Sequence, residues 1–315
     1  MTTPAELPAH LGYKAPSWET LWAAARTLQS KRPNDEFMAK VLEGAFDVGC
    51  GKNPIRGNLC AAALRELVSH ILHAMAPDEK VLKCVWYSKQ PDTNGPTRRQ
   101  RATFIMQGGL SVEFVTNKLH LDHDETCKPL IEAMNALSKS THVREETILD
   151  DDEKIRELMD DTLGGVLALF DAAAHCQNEV YRQLEREIDD AVFDKFLSET
   201  IQELDELSTH TTFEGHESDE VRVVYVDEEV VKFAVSGLVY VELQYGSNSD
   251  LRKGEGAVMG DYYPYTATLC SKASNPEEVI SDSVDVKVDN SSFYDNGEDD
   301  YDESEASEVP EGSPL

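Results

Sequence analysis

Apolar positions along this chain follow two spacings. From Ser17 to about residue 208 they recur three and four apart, which puts them on one face of an α-helix. Ser17 can cap a helix carrying Trp18, Leu21, Trp22, Ala25 and Leu28. Asn34 or Asp35 can cap a second, with Phe37, Val41, Leu42, Ala45 and Phe46 on its apolar face. The strongest stripe lies in 58–75, where Leu59, Ala63, Leu67 and Ile71 repeat and Leu64, Val68, Leu72 and Met75 widen it. A helix so apolar belongs at the centre of a bundle. Pro77-Asp78 ends it and opens another segment holding Val81, Leu82, Val85 and Trp86. Thr97 starts a further apolar run and Gly108-Gly109 breaks it. Ser111 can cap a helix over 112–119, and Asp124 or Thr126 one through Leu130, Met134 and Leu137. Asp150-Asp151-Asp152 opens a long stretch, read as two antiparallel helices with a break between Phe170 and Asn178.

Beyond residue 219 the spacing changes to near alternation in segments rich in Val, Tyr and Phe, namely 221–226, 230–245, 262–269 and 284–288. Asp227-Glu228-Glu229 suits a turn, and 246–256 reads as a polar loop. The fold class is therefore α+β: an N-terminal all-helical bundle, a small C-terminal antiparallel β domain and a disordered acidic tail. The expected boundaries are a flexible N-terminus over 1–14, a helical domain over 15–210, a β-sandwich-like domain over 219–290 and the tail over 291–315.

Charge narrows the chemistry. The chain has 60 acidic and 29 basic residues, a net charge of −31. Nine acids and no base follow from Asp295 onward, so most of the excess lies upstream. Such a chain repels nucleic acid at long range, because phosphate binding relies on Lys and Arg. A nucleic-acid site must then be a local basic pocket. Thr97-Arg98-Arg99-Gln100-Arg101 is the densest basic cluster and could hold phosphate at a helix start or form a plain solvated face. No run of eighteen apolar residues is present, and Met1 to His10 has no signal-peptide pattern, so no membrane contact is expected. Six cysteines without CxxC spacing fit a cytoplasmic protein and no zinc site. The His120-to-Asp124 stretch fits no standard metal set, and neither a metal nor a cofactor is expected. Gly49 to Pro54 lacks the Walker spacing and reads as a turn.

Arg65 and His70 stand in R-x4-H spacing, which resembles the signature of HEPN ribonucleases. That resemblance implies metal-independent cleavage of RNA, usually across a homodimer cleft, with histidine moving protons and arginine stabilising phosphate charge. Residues five apart sit about 140° around a helix. The alternative is that Arg65 pairs with an acid while His70 or His73 fills a polar pocket. His142 follows an apolar helix, where it can cap the helix or fold back toward Arg65.

A wider set of segments carries a second resemblance. Asn53-Pro54, the 62–70 run from Ala62 to His70 and the 76–84 run from Ala76 to Cys84 come first. Trp86-Tyr87, the 97–101 cluster, Gln107-Gly108-Gly109-Leu110-Ser111, Leu137-Ser138-Lys139 and Thr141-His142 follow. The β region adds the stretch from Leu243 to Arg252 and Tyr263-Pro264-Tyr265. Together these resemble a bacterial family of predicted PIWI-associated nucleases, over roughly residues 50 to 290. The resemblance implies an anti-phage defence setting. With the R-x4-H reading added to it, Arg65, His70 and His142 are the candidate catalytic residues, and Arg98, Arg99 and Arg101 the candidate substrate-binding ones. The substrate would be RNA or another nucleic acid. The 245–252 loop, with Tyr245, Ser247, Asn248, Asp250 and Arg252, would bind a partner, most simply another defence-system protein. A non-catalytic sensor or adaptor is the alternative function. DNA mimicry is a third, for which the acids show no patterning along one face.

Overall fold

Ser17 starts the first helix: its Oγ accepts the Thr20 N–H at 3.2 Å, and α1 runs Trp18–Lys31. Asp35 does the same for α2, Glu36–Cys50, by accepting the Met38 N–H at 3.0 Å. The apolar run after Asn58 forms α3, Arg56–Met75, with Leu64, Leu67, Val68, Ile71 and Leu72 buried. Helices α4 (Asp78–Val81), α5 (Arg98–Gln107) and α6 (His123–Ser140) follow. Of these, α5 and α6 pack against α3, as does α2. Thr97 and Gln100 close α5 with a reciprocal capping box. This computed structural model describes residues 14–295. The expected N-terminal segment through residue 13, and the tail from 296 on, lie outside the described residues. Among the described residues no helix is long and apolar enough to cross a membrane.

The long stretch after Asp151 is one helix, α7, Asp152–Ser198, and not two. Its expected break, between Phe170 and Asn178, contains three alanines and no Gly or Pro, so nothing there opposes helix. Cys176, Val180, Leu184, Ile188, Val192 and Phe196 continue one buried stripe through it. The segment after Pro77 also differs. Only α4 is helical, because the chain then turns to bring Trp86 Nε1 within 2.8 Å of the Gly108 carbonyl, to which it donates. Leu82 and Val85 stay exposed. Ser111 caps as expected, but Phe114–Lys118 winds as a π-helix, closed by the Leu119 N–H on the Phe114 carbonyl.

Residues beyond α8 (Gln202–Asp205) form five strands: β1 (His210–Val226), β2 (Val230–Tyr245), β3 (Ala257–Lys272), β4 (Asn275–Val279) and β5 (Asp285–Val288). They build one antiparallel sheet in the order β1-β2-β3-β4, with β5 pairing β3 through Tyr265↔Val288 and Thr268↔Asp285. A sandwich would need a second sheet; here an aromatic helix face serves. Phe196 of α7 stacks on Phe213 at 5.1 Å and meets Tyr265 edge-on at 5.4 Å. The 246–256 loop contains a short helix, α9 (Asn248–Lys253), and Ser291–Asp295 forms α10 where acidic tail was expected. Asp289 accepts the Ser291 N–H to start α10, and Asn290 is tied to Glu203 and Glu206.

The chain divides into two compact units. Among the described residues the first comprises 14–189, Val221–Ala234 and Leu269–Ser283. The second comprises Asp190–Glu220, Val235–Thr268 and 284–295. Within the first, the β1–β2 turn sits on Gly108-Gly109. The Gly109 N–H donates to the Asp227 carbonyl at 2.8 Å, and Lys80 and Lys83 pair with Glu228 and Glu229. Asp227 Oδ1 in turn accepts the N–H groups of Glu229 and Val230. Gly108 has φ of +57°, which glycine adopts without strain.

Candidate nucleic-acid site

Three segments of the first unit bring basic and hydroxyl groups together. The end of α6 is rich in Ser and Thr: Ser138, Ser140 and Thr141 each return a hydroxyl hydrogen bond to a carbonyl of the preceding turn. Arg65, projecting from α3, donates to Thr141 Oγ1 at 3.2 Å. Arg98, in the first turn of α5, donates to Ser138 Oγ at 3.4 Å. Ser138 and Thr141 are three residues apart and therefore neighbours on the helix surface. His142 follows Thr141, exposed to solvent, and its carbonyl accepts from Thr147 Oγ1. Lys139 and Arg99 are exposed nearby in sequence. In a chain of net charge −31 this is a local concentration of cations and hydroxyls.

Arg65 also pairs with Glu66 Oε1 at 2.9 Å, and about a third of its side chain is exposed. His70 faces elsewhere. Its Nε2 lies 2.9 Å from Asp35 Oδ2 and 3.0 Å from Oδ1, and its ring is tilted against Phe37 at 4.6 Å between centroids. An open groove of about 470 Å³ runs past it, lined by Lys31, Arg32, Asn34, Asp35 and Glu36. Burial disfavours charge on Asp35, but the Met38 N–H, His70 and Arg32 outweigh it and hold the carboxyl below its ordinary value. Arg65 thus turns to the end of α6 and His70 to the start of α2.

The basic cluster at 97–101 divides. Arg98 and Arg99 are exposed, whereas Arg101 is buried, donating to the Ala76 carbonyl and to Asp78. Arg101 thereby braces the end of α3 and has no open face for phosphate. In the second unit, Ser247 and Asp250 spend their side chains on the capping box of α9, and Asn248 accepts from Gln244. Tyr245 ends β2, half-buried, and Arg252 is exposed in the last turn of α9. Among the described residues no three His, Cys, Asp or Glu side chains are grouped to hold a metal ion.

Sequence reasoning missed Asn58, which touches the connection that carries His142. It lies on the buried side of α3 at 1% exposure and donates to the Ser140 carbonyl at 2.7 Å and the Thr147 carbonyl at 2.8 Å. The available signal was a polar residue in the first turn of a largely apolar helix, seven before Arg65.

Two family models match the chain, one over residues 29–166 and the other over 173–294, and both carry the description "Predicted pPIWI-associating nuclease". The chain belongs to this family of predicted pPIWI-associating nucleases. The junction of the two matches falls inside α7. No curated protein and no solved structure matches the chain.

Proposed function

We propose that this protein is the RNA-cutting component of an anti-phage defence system that works with a pPIWI protein. One observation carries the reading: Arg65 and Arg98, from different helices, converge on hydroxyls of one helix end, and the exposed His142 is the next residue after Thr141. Guanidinium groups suit a phosphate gaining charge in the transition state. Imidazole suits proton transfer near neutral pH. In the proposed reaction the RNA 2′-hydroxyl loses its proton and attacks the adjacent phosphorus. The bond to the 5′-oxygen breaks, and that oxygen takes a proton. The products are a 2′,3′-cyclic phosphate and a 5′-hydroxyl. His142 is the acid–base group, Arg65 and Arg98 bind the phosphate, and Arg99 extends the contact along the strand. His70 joins a HEPN-like centre only if a second copy of the chain brings it to Arg65.

The test compares end-labelled RNA with DNA of the same sequence, using the full chain with its pPIWI partner. His142→Ala should lower RNA cleavage by about 10²–10⁴-fold, the usual share of an acid–base group, and Arg65→Ala by about 10²–10³-fold, the usual share of a donor to transition-state charge. DNA, lacking the nucleophile, should stay whole. If Arg65→Ala alone impairs cleavage and His142→Ala does not, the acid–base assignment fails.

The second reading, a non-catalytic adaptor, is favoured by the pairing of Arg65 with Glu66 and of His70 with Asp35, which satisfies both side chains without substrate. Defence activity retained in both Arg65→Ala and His70→Ala would select it.

A further inference from the structure

Residues seven apart on an α-helix are nearly two turns apart and about 20° out of line. Asn58 and Arg65 therefore share a face of α3, and both reach the same stretch of chain. Asn58 uses its amide fully. Besides its two donations to Ser140 and Thr147, its Oδ1 accepts the Leu149 N–H at 3.1 Å. These three partners span the connection from α6 to α7, which contains Thr141 and His142. Its neighbours add to the grip. The Gly57 N–H donates to the Leu149 carbonyl at 3.0 Å, and Arg56 donates to the Asp150 carbonyl at 2.9 Å. Residues 142–146 of the connection are all exposed, so it has little apolar burial of its own. Its position is set by hydrogen bonds from α3.

We infer that Asn58 is the positioning residue of the Arg65–His142 site: by taking the Ser140 and Thr147 carbonyls it fixes Thr141 and His142 relative to Arg65. The inference rests on the reading of Arg65 and His142 as one nuclease site. A merely structural Asn58 would affect the melting temperature alone. A positioning Asn58 also sets the surroundings of the His142 ring and the turnover.

The experiment uses the full chain as wild type, Asn58→Ala and Asn58→Asp. The aspartate keeps the shape but turns a carboxylate oxygen toward two carbonyls. Burial raises its pKa, so acidification from about pH 7.5 to about pH 5.5 returns a donor. Three quantities are read: amide hydrogen exchange over 141–149, the imidazole resonances of His142 without nucleic acid, and kcat and KM for RNA cleavage. Exchange over 141–149 should rise about tenfold or more from three lost hydrogen bonds, while 61–72 keeps its protection. The His142 resonances should move, and kcat should fall about tenfold or more with a smaller change in KM. In Asn58→Asp, acidification should bring exchange over 141–149 back toward that of the wild type at the same pH. Unchanged exchange with unmoved His142 resonances overturns the inference. A loosened connection with full turnover overturns it too, leaving Asn58 structural. If the wild type cuts nothing, the nuclease reading fails, and positioning is decided by exchange and the His142 resonances alone. If Asn58→Ala does not fold, Asn58→Asp at the two pH values decides.

Discussion

Adding one methyl group at Gly109 should unseat the β1–β2 turn. A Cβ built there would lie 2.4 Å from the Glu228 carbonyl oxygen, 2.7 Å from its carbon and 2.9 Å from the Asp227 oxygen. These are backbone atoms, and the nearest is about 1 Å short of the 3.4 Å at which ordinary contact begins. The turn must move, because no flexible side chain can give way. Overpacking of this kind costs about 1–3 kcal/mol. The displacement also stretches the Gly109 N–H bond to the Asp227 carbonyl, now 2.8 Å. A backbone hydrogen bond contributes about 0.5–1.5 kcal/mol net. Gly109→Ala should therefore destabilise by about 2–4 kcal/mol. At about 2–4 °C per kcal/mol for a unit of this size, the melting temperature should fall by roughly 4–16 °C. Gly164→Ala is the control. It lies within α7 with nothing within 4 Å of the added carbon, so Ala should stabilise by about 0.4–1 kcal/mol. Thermal melts followed by circular dichroism measure both. A Gly109→Ala protein melting within a degree of wild type would refute the seat as described.

Further outcomes follow from other sites. Asp35 is held below the ordinary carboxylate value of 3.8, so its stabilising contribution is complete above that pH and lost as pH falls through the lowered value. The melting-temperature gap between wild type and Asp35→Asn should then stay level down to about pH 4 and close only below it; a gap already closed at about pH 5 would contradict the assignment. Arg101→Lys should cost about 1–3 kcal/mol, since an ammonium cannot hold the Ala76 carbonyl and Asp78 together. Arg98→Lys, at the surface, should change stability by less than about 0.5 kcal/mol, and denaturant melts separate the two.

The helices were legible where one local rule decided them. Ser17 and Asp35 cap as their side chains dictate, and the stripe in α3 is apolar enough to require a central place. The strands at 221–226, 230–245, 262–269 and 285–288 followed from alternation, and the turn at Asp227 from its short carboxylate, whereas the early start of β1 at His210 and the short β4 were not foreseen. What failed was set at long range. The segment at Trp86 gives up its helix for a carbonyl 22 residues later in the chain. The continuity of α7 was there to be read, in an alanine run that offers no break. The basic cluster at Arg98 to Arg101 looked uniform, yet helix geometry turns Arg101 inward and leaves Arg98 and Arg99 outside. The R-x4-H spacing named two residues that the helix sends to different neighbours. The hydroxyls at the end of α6 and the grip of Asn58 depend on packing between segments some eighty residues apart, which no local pattern encodes.

The contact of Asp35 with His70 decides a proton position. A carboxylate held ionised against Nε2 requires a hydrogen on that nitrogen. The neutral imidazole is thus locked as the Nε2–H tautomer, and Nδ1 keeps the lone pair. In that neutral form Nε2 donates to the carboxylate and Nδ1 can only accept a hydrogen bond. Nitrogen-15 shifts of the neutral ring should report that asymmetry between its two nitrogens directly.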